Sequence, residues 1–427
     1  MFSAVRRFTA YRILSRSYFH LTILFVYFYN RGLSVPEIEC VLAVYGAALA
    51  LAGPVVRPIA ARLSLTATVS LGEALKALGL LLLAVPGGIA VAVVAQVVAA
   101  LGFSLASGTD SALLAEICRR DGEEARSWES RSGSLTFIAA LVAGIAGAVL
   151  YQADHAIPFV LSAVMSALAA AVAVSAGRGI DRASASAPVR PGATGVTGTA
   201  APGRDPHAGT VARWGAYYTV VRGFVLALFI GFLPYLLYVR LHASLPVFGL
   251  ILGSYTLSGY FSARYGKLLV ERFGARGVAL LAVALTGLGL LVLVWQENIA
   301  GAAIATVALG AGVGGVRPMV VGAVNEALSD RPATERAAAL RRNEARFAAF
   351  NTVLILLAGL ALDRVSFPHL LAGLAVGYLV VAGAVLAALP RPAATGPAAD
   401  PAAAGEPAAR EPAAAGPASA PASAPAS

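Results

Sequence analysis

Charge is scarce in this sequence. Only 13% of its 427 residues are Asp, Glu, Lys or Arg, against 58% hydrophobic ones, and the mean hydropathy is +0.77. An average soluble domain carries about 25% charged residues, so a water-soluble globular chain is excluded. Lysine occurs twice, at Lys76 and Lys267, and the remaining 30 of the 32 basic residues are arginine, as expected of a GC-rich bacterial genome. Cysteine also occurs twice, at Cys40 and Cys118. Gly-Lys-Ser/Thr phosphate loops, metal-spaced Cys/His clusters and nucleophile motifs are missing, so no metal, no cofactor and no enzyme activity are expected. The net charge of +10 does not point to nucleic acid, because the arginines fall in short clusters between apolar runs rather than in an aromatic-laced patch.

Those runs are what the sequence has in quantity. A bilayer core of about 30 Å takes roughly 20 apolar residues of helix. Twelve segments qualify, near 13–31, 35–56, 65–85, 87–112, 132–152, 157–176, 217–239, 246–266, 277–296, 300–324, 346–362 and 368–389. The first is too long and too aromatic for a signal peptide and is expected to be retained. Two stretches rich in Pro, Gly, Ala and Ser, 177–212 and 390–427, lack the bulky apolar residues that repay ordering and are expected to be a disordered cytoplasmic linker and tail.

Arginine placement gives the orientation. With the N-terminus in the cytoplasm only Arg31, Arg240 and Arg364 lie outside, and both termini are cytoplasmic in a multi-pass bacterial inner-membrane protein. Cys40 and Cys118 then sit near opposite faces and cannot pair within one chain.

Sliding the chain against itself by 210 residues aligns Arg12 with Arg222, Ser34 with Ser244, Pro36 with Pro246, Arg62 with Arg272 and Gly102 with Gly312. Glu116, Arg126, Arg131 and Pro158 fall on Glu326, Arg336, Arg341 and Pro368 in the same register. An offset of six helices, an even number, gives two halves of like orientation related by an axis along the membrane normal, residues 1–176 and 213–389.

That arrangement resembles the major facilitator superfamily over roughly residues 10–389. Glu271, Arg272, Phe273, Gly274, Ala275 and Arg276 are similar to the family's acidic-Arg-x-Gly-x-basic loop; the first half keeps Gly53 and Arg62 but has Arg57 near the expected aspartate. Asn325 and Glu326, with Arg336 beyond, resemble the segment joining the family's tenth and eleventh helices. The resemblance implies an all-α membrane fold of 12 helices and a cytoplasmic gate built from Glu116, Arg126, Arg131, Glu271, Arg272, Glu326, Arg336 and Arg341. As solvated loop charges the same residues would only set topology.

Ionisable residues within the spans that lack an ionisable repeat mate are candidates for substrate or proton coupling, because an ionisable group in lipid must be paired or face water. Among them are His20, Glu73, Lys76, Asp110 and Arg317. Helical rise puts Asp110 and Arg317 at similar depth, on helices that face one another in the family, so they are expected to meet; the alternative is a local cap for Asp110 and a snorkelling Arg317. Glu73 and Lys76, three apart, are expected to neutralise each other. His20 can carry a proton or sit neutral and hydrogen-bonded. Arg222, by its repeat mate Arg12 and its neighbours Trp214, Tyr217 and Tyr218, reads as an anchor in the interfacial aromatic belt with access to the cavity mouth.

The resemblance implies a monomeric secondary transporter of a small organic molecule, driven by a proton or other ion gradient, with export favoured over uptake of a sugar or organic acid. The fifth segment has Gly144 and Gly147 without the proline of the family's exporter signature. A receptor or enzyme of the same fold is the rival class.

Overall fold

The computed structural model describes residues 3–178, 180, 207–331, 333–362 and 364–390; residues 181–206 of the expected linker and the expected tail after Pro390 lie outside the described residues, whereas 208–212, expected in the linker, are helical. Residues up to Pro390 pack as one unit. The secondary structure of the described residues is helical: α1 Ala4–Ser15, α2 Leu24–Asn30, α3 Val35–Leu51, α4 Gly53–Arg62, α5 Leu65–Ala84, α6 Ile89–Ala106, α7 Thr109–Asp121, α8 Ala125–Ala153 and α9 Ile157–Gly177. After the linker come α10 Ala208–Ala227, prolonged by π-helical stretches Leu228–Phe232 and Tyr235–Arg240, then α11 Leu245–Trp295, α12 Ile299–Gly314, α13 Val316–Ala327, α14 Ala333–Ala361 and α15 Phe367–Ala387.

The 210-residue register reappears in the helix starts. Val35 and Leu245 open α3 and α11, Ile89 and Ile299 open α6 and α12, and Ile157 and Phe367 open α9 and α15. At Ser34 the start has a chemical cause, a capping box in which the backbone N–H and hydroxyl of Ser34 both donate to Glu37, at 2.8 and 2.7 Å, with Pro36 in the first turn. The shared glycines mark close crossings. A Cβ on Gly102 would stand 2.5 Å from the Gly72 carbonyl oxygen, and one on Gly312 2.9 Å from that of Ala282, so the α5/α6 and α11/α12 pairs pack backbone to backbone.

Among the described residues nine helices are long and apolar enough to cross a membrane, or ten with α3 and α4 taken as one span bent by 51°. The expected count of twelve differs from this in two places. The eighth and ninth expected segments are two helices that run together in α11 across a kink at Gly274, whose φ of +71° a side chain would disfavour, so α11 stands once for two expected spans. The first expected segment is broken. α1 ends at Ser15, residues 16–23 form turns, and α2 resumes at Leu24.

The break is held from three sides. The Lys76 ammonium donates to the carbonyl and hydroxyl oxygens of Ser15, at 3.1 and 3.2 Å, filling the negative end of α1. The Thr22 hydroxyl donates to the Gly144 carbonyl at 3.1 Å, and Gly147 lies against the Phe19 carbonyl where no Cβ would fit. Gly144 and Gly147 thus seat the broken first segment on α8.

Apolar side chains turned outward, among them Leu78, Leu250, Leu288, Leu357 and Val380, supply the lipid-facing surface of a multi-pass membrane protein.

Candidate functional site

α6 and α12 are each interrupted within a span and continue as α7 and α13. The first break is the turn at Ser107 and Gly108, where Gly108 has φ +77°; the second is at Gly315. Asp110 and Arg317 are each the second residue of the restarted helix. An acid suits that position because it meets free N–H groups. Asp110 Oδ1 accepts from the backbone N–H of Gly108 at 3.0 Å and of Ser111 at 2.8 Å. An arginine there is disfavoured by the helix dipole and needs acids from outside its helix.

It finds two. Arg317 Nη1 is 3.8 Å from Glu129 on α8, and its Nε is 3.5 Å from Glu344 on α14. Glu129 is also 2.9 Å from Arg12 Nη2, which reaches Asp110 Oδ2 at 3.4 Å. The charges therefore alternate, Asp110, Arg12, Glu129, Arg317, Glu344. Arg12 further donates to Ser132 at 3.1 Å and Ser111 at 3.0 Å, and Glu344 accepts from the Tyr218 hydroxyl, which in turn contacts Arg222. Asp110 and Arg317 share this network, but the direct pair expected between them is replaced by two intervening residues, Arg12 and Glu129. Asp110 also has the expected local cap.

Three members of the network, Arg12, Glu129 and Glu344, are not among the expected site residues. Arg12 is only 4% exposed. Glu129 and Glu344 precede the expected spans 132–152 and 346–362, yet their helices begin at Ala125 and Ala333. The signal that would have found them is the one applied within the spans: an ionisable residue whose repeat mate is not ionisable, Ala339 for Glu129 and Ser134 for Glu344.

The other expected site residues stand apart. Glu73 is 2.7 Å from Lys76, as expected, and accepts from the hydroxyls of Ser15 at 2.7 Å and Tyr11 at 3.4 Å; the pair is buried and secures the α1 break. His20 lies in the break with its Nδ1 3.0 Å from the Ser162 hydroxyl oxygen and its ring against Tyr18 and Phe159.

Below the network, toward Glu116 and Glu326, a cavity of about 1050 Å³ separates α7 and α8 from α11 and α13. It reaches the exposed helix ends at Glu124, Lys267 and Glu271. The expected gate lies around it in an unclamped arrangement. Glu116 pairs with Arg119 on its own helix, Glu271 is 3.9 Å from Lys267, and Arg131 and Arg272 stack over Trp128 and Phe273. Glu326 and Arg336 line the cavity, and Arg341 donates to Thr109 at 3.5 Å. The Arg126 side chain lies outside the described residues. Bridges from Glu116 or Glu326 to the arginines would have to cross ground that the cavity holds open.

The opposite end is shut. The Tyr238 hydroxyl donates to Asn30 at 3.1 Å, Asn30 donates to Tyr151 at 3.3 Å, and the rings of Tyr29 and Tyr238 meet edge to face at 6.1 Å.

Residues 215–422 match the family model of the Major Facilitator Superfamily. No curated protein sequence matches the chain. Among solved structures it is similar to the nucleoside transporter NupG, with a TM-score of 0.66 at 12% identity over 91% of this chain and 99% of that one. It is similar also to a peptide transporter POT in complex with sulfate, with a TM-score of 0.64 at 16% identity over 90% and 94%. A POT family transporter in complex with 5-aminolevulinic acid gives 0.65 at 13% over 90% and 95%. The fold is theirs, and the second half of the chain carries the match to the Major Facilitator Superfamily.

Proposed function

We propose that this transporter moves a small organic molecule across the bacterial cytoplasmic membrane by alternating access, as a monomer with both termini cytoplasmic, coupled to the proton gradient and working outward. The observation that carries the reading is the position of the Glu129–Arg317 ion pair, 3.8 Å long, at the head of a cavity that is open at the Glu116 end while aromatic contacts shut the Ser34 end. In the arginine-based orientation this is an inward-open form. The network joins α1, α7 and α8 to α13 and α14, so an anion or a proton that competes for one member loosens the link between those two groups of helices. Asp110, through Arg12 and Glu129, and Arg317 are then the coupling residues. Glu116, Arg126, Arg131, Glu271, Arg272, Glu326, Arg336 and Arg341 close the cytoplasmic side in the other state.

The test has two steps. A thermal-shift screen on purified protein finds ligands, since binding to the folded state raises its stability. Flux of such a ligand is then followed in proteoliposomes with an imposed pH gradient. Flux that survives a protonophore overturns proton coupling, and a bound ligand that never crosses the bilayer favours a receptor.

A further inference from the structure

Glu39 is 1% exposed, and neither carboxyl oxygen has a hydrogen-bond partner among the described residues. It lies four residues into α3, about 6 Å along the helix from Val35, at the shut end. Two glycines from beyond the linker make its socket. A Cβ on Gly231, in the π-helical stretch after α10, would lie 2.5 Å from both carboxyl oxygens, and one on Gly359 of α14 2.8 Å from the Glu39 Cβ.

Among the described residues no charge answers it. On its own helix Glu37 is engaged with Ser34 and Cys40 is exposed. From the π-helical stretches, Tyr235 packs on Phe25 and Phe367, Tyr238 bonds to Asn30, and Arg240 pairs with Glu297. On α2, Tyr27 donates to the Leu83 carbonyl, Tyr29 meets Tyr238, and Arg31 just beyond stacks on Tyr27. Past α14, Arg364 is exposed and Asp363 lies outside the described residues. The repeat mate of Glu39 is Gly249, which packs against Ala148, so this kind of helix crossing closes without a carboxyl.

An ionised carboxylate sealed in such a slot would lose its water and gain nothing in return, whereas the neutral acid fits. We infer that Glu39 is a proton-binding site that locks the Ser34 end: α3 closes on Gly231 and Gly359 only with a proton on this carboxyl, and opening hydrates the group and releases that proton to the water on that face. This deepens the alternating-access reading and rests on it. It places a proton site outside the Arg12, Asp110, Glu129, Arg317 and Glu344 network.

The test uses the full chain in nanodiscs with Cys40→Ser and Cys118→Ala, spin-labelled at Gln152→Cys and Arg364→Cys on the Ser34-end rims of the two halves. Double electron–electron resonance then gives the rim separation against pH. One linked proton changes the open-to-closed ratio by up to about tenfold per pH unit, so the long-distance population should grow as pH rises. Glu39→Gln, with a neutral side chain of the same shape, should hold the short distance at every pH. Glu39→Asp should keep the response with a displaced midpoint, and it decides the matter if the Gln variant fails to insert. A Glu39→Gln protein that follows the parent's pH response, or a Glu39→Asp protein with the parent's midpoint, overturns the lock. The distance needs no substrate, so absence of flux in the parent protein sinks the transport reading alone, while flux with a pH-independent rim sinks the lock alone.

Discussion

Glu129 on α8 and Arg317 on α13 meet at 3.8 Å, and through them the Arg12–Asp110 pair of the first half is joined to Glu344 of the second. Glu129 is the hinge of this arrangement because it faces two guanidiniums at once. Replacing it leaves Arg12 with Asp110 and Arg317 with Glu344, two pairs no longer linked. We expect Glu129→Gln to insert normally and to transport at least about tenfold more slowly, a barrier change of about 1.4 kcal/mol. Thermal stability should fall by less than the 3–5 kcal/mol typical of a broken buried pair, since the Glu129 and Arg317 side chains keep 18% and 28% of their exposure. Flux and melting temperature of the same preparation check both halves of the statement, and unimpaired flux removes the network from the mechanism.

Coupling between mutations should follow the chain of contacts. Arg12 with Glu129 and Glu129 with Arg317 are in contact and should show interaction energies in the range of about 0.5–3 kcal/mol. Asp110 with Arg317 is separated by two side chains and should come out nearer to additive. Double-mutant cycles on transport with Asp110→Asn, Glu129→Gln and Arg317→Ala decide it. A large Asp110–Arg317 term with none to Glu129 would mean that the two meet directly in another conformation.

The buried pair at the broken first segment behaves as structure. Lys76→Met leaves Glu73 sealed at 0% exposure with its ion partner gone and should cost roughly 3–5 kcal/mol, whereas Lys76→Met with Glu73→Gln should recover much of that loss. Melting curves of the single and double variants give the comparison. A double variant as unstable as the single would show that the ammonium matters through Ser15 alone.

Cys40 is exposed and Cys118 fully buried. An impermeant maleimide added outside should therefore label Cys40, while Cys118 should stay unlabelled even in permeabilised cells, until denaturant is added. Burial here alters the expectation from topology alone. Labelling of Cys118 from outside would reverse the orientation.

What the sequence disclosed, and what it hid, follows from which interactions repeat. Helix starts, close glycine crossings and the loop around Gly274 are scaffold features used twice, so a self-comparison exposes them. The same comparison picked out Asp110, Arg317 and the Glu73–Lys76 pair as asymmetric. Glu129 and Glu344 escaped because the expected spans were begun at 132 and 346, a few residues after them, whereas the apolar helical stretches already start at Ser127 and Ala338. Arg12 escaped for a different reason: its repeat mate Arg222 is also an arginine, so symmetry hid its burial. The break at residues 16–23 does carry Arg16, Ser17, His20 and Thr22, but the apolar and aromatic residues around them carried the expected first segment straight through it. Glu39 sits at the start of an otherwise apolar run, where an acid commonly serves only the helix N-terminus; only the facing glycines reveal that it is buried.

The unclamped charges at the Glu116 end carry the last prediction. In this conformation Glu116 is occupied by Arg119, and Glu326 stands on the wall of the open cavity. Opening the Ser34 end requires that cavity to collapse, bringing α7 and α8 toward α11, α13 and α14 and the two acids within reach of Arg131, Arg336 and Arg341. Each exposed bridge is worth only a few tenths to about 1 kcal/mol. Several acting together can still decide an equilibrium between two states that differ by a few kcal/mol. Glu116→Gln with Glu326→Gln should therefore leave the open-cavity form intact and weaken its alternative, shifting the population toward the open cavity and slowing flux. A cysteine at the cavity wall, Met319→Cys, reports this directly: its reaction rate with a thiol reagent supplied from the cytoplasmic side should rise in the double variant. An unchanged rate together with unchanged flux would reduce the repeated charges to signals for membrane insertion.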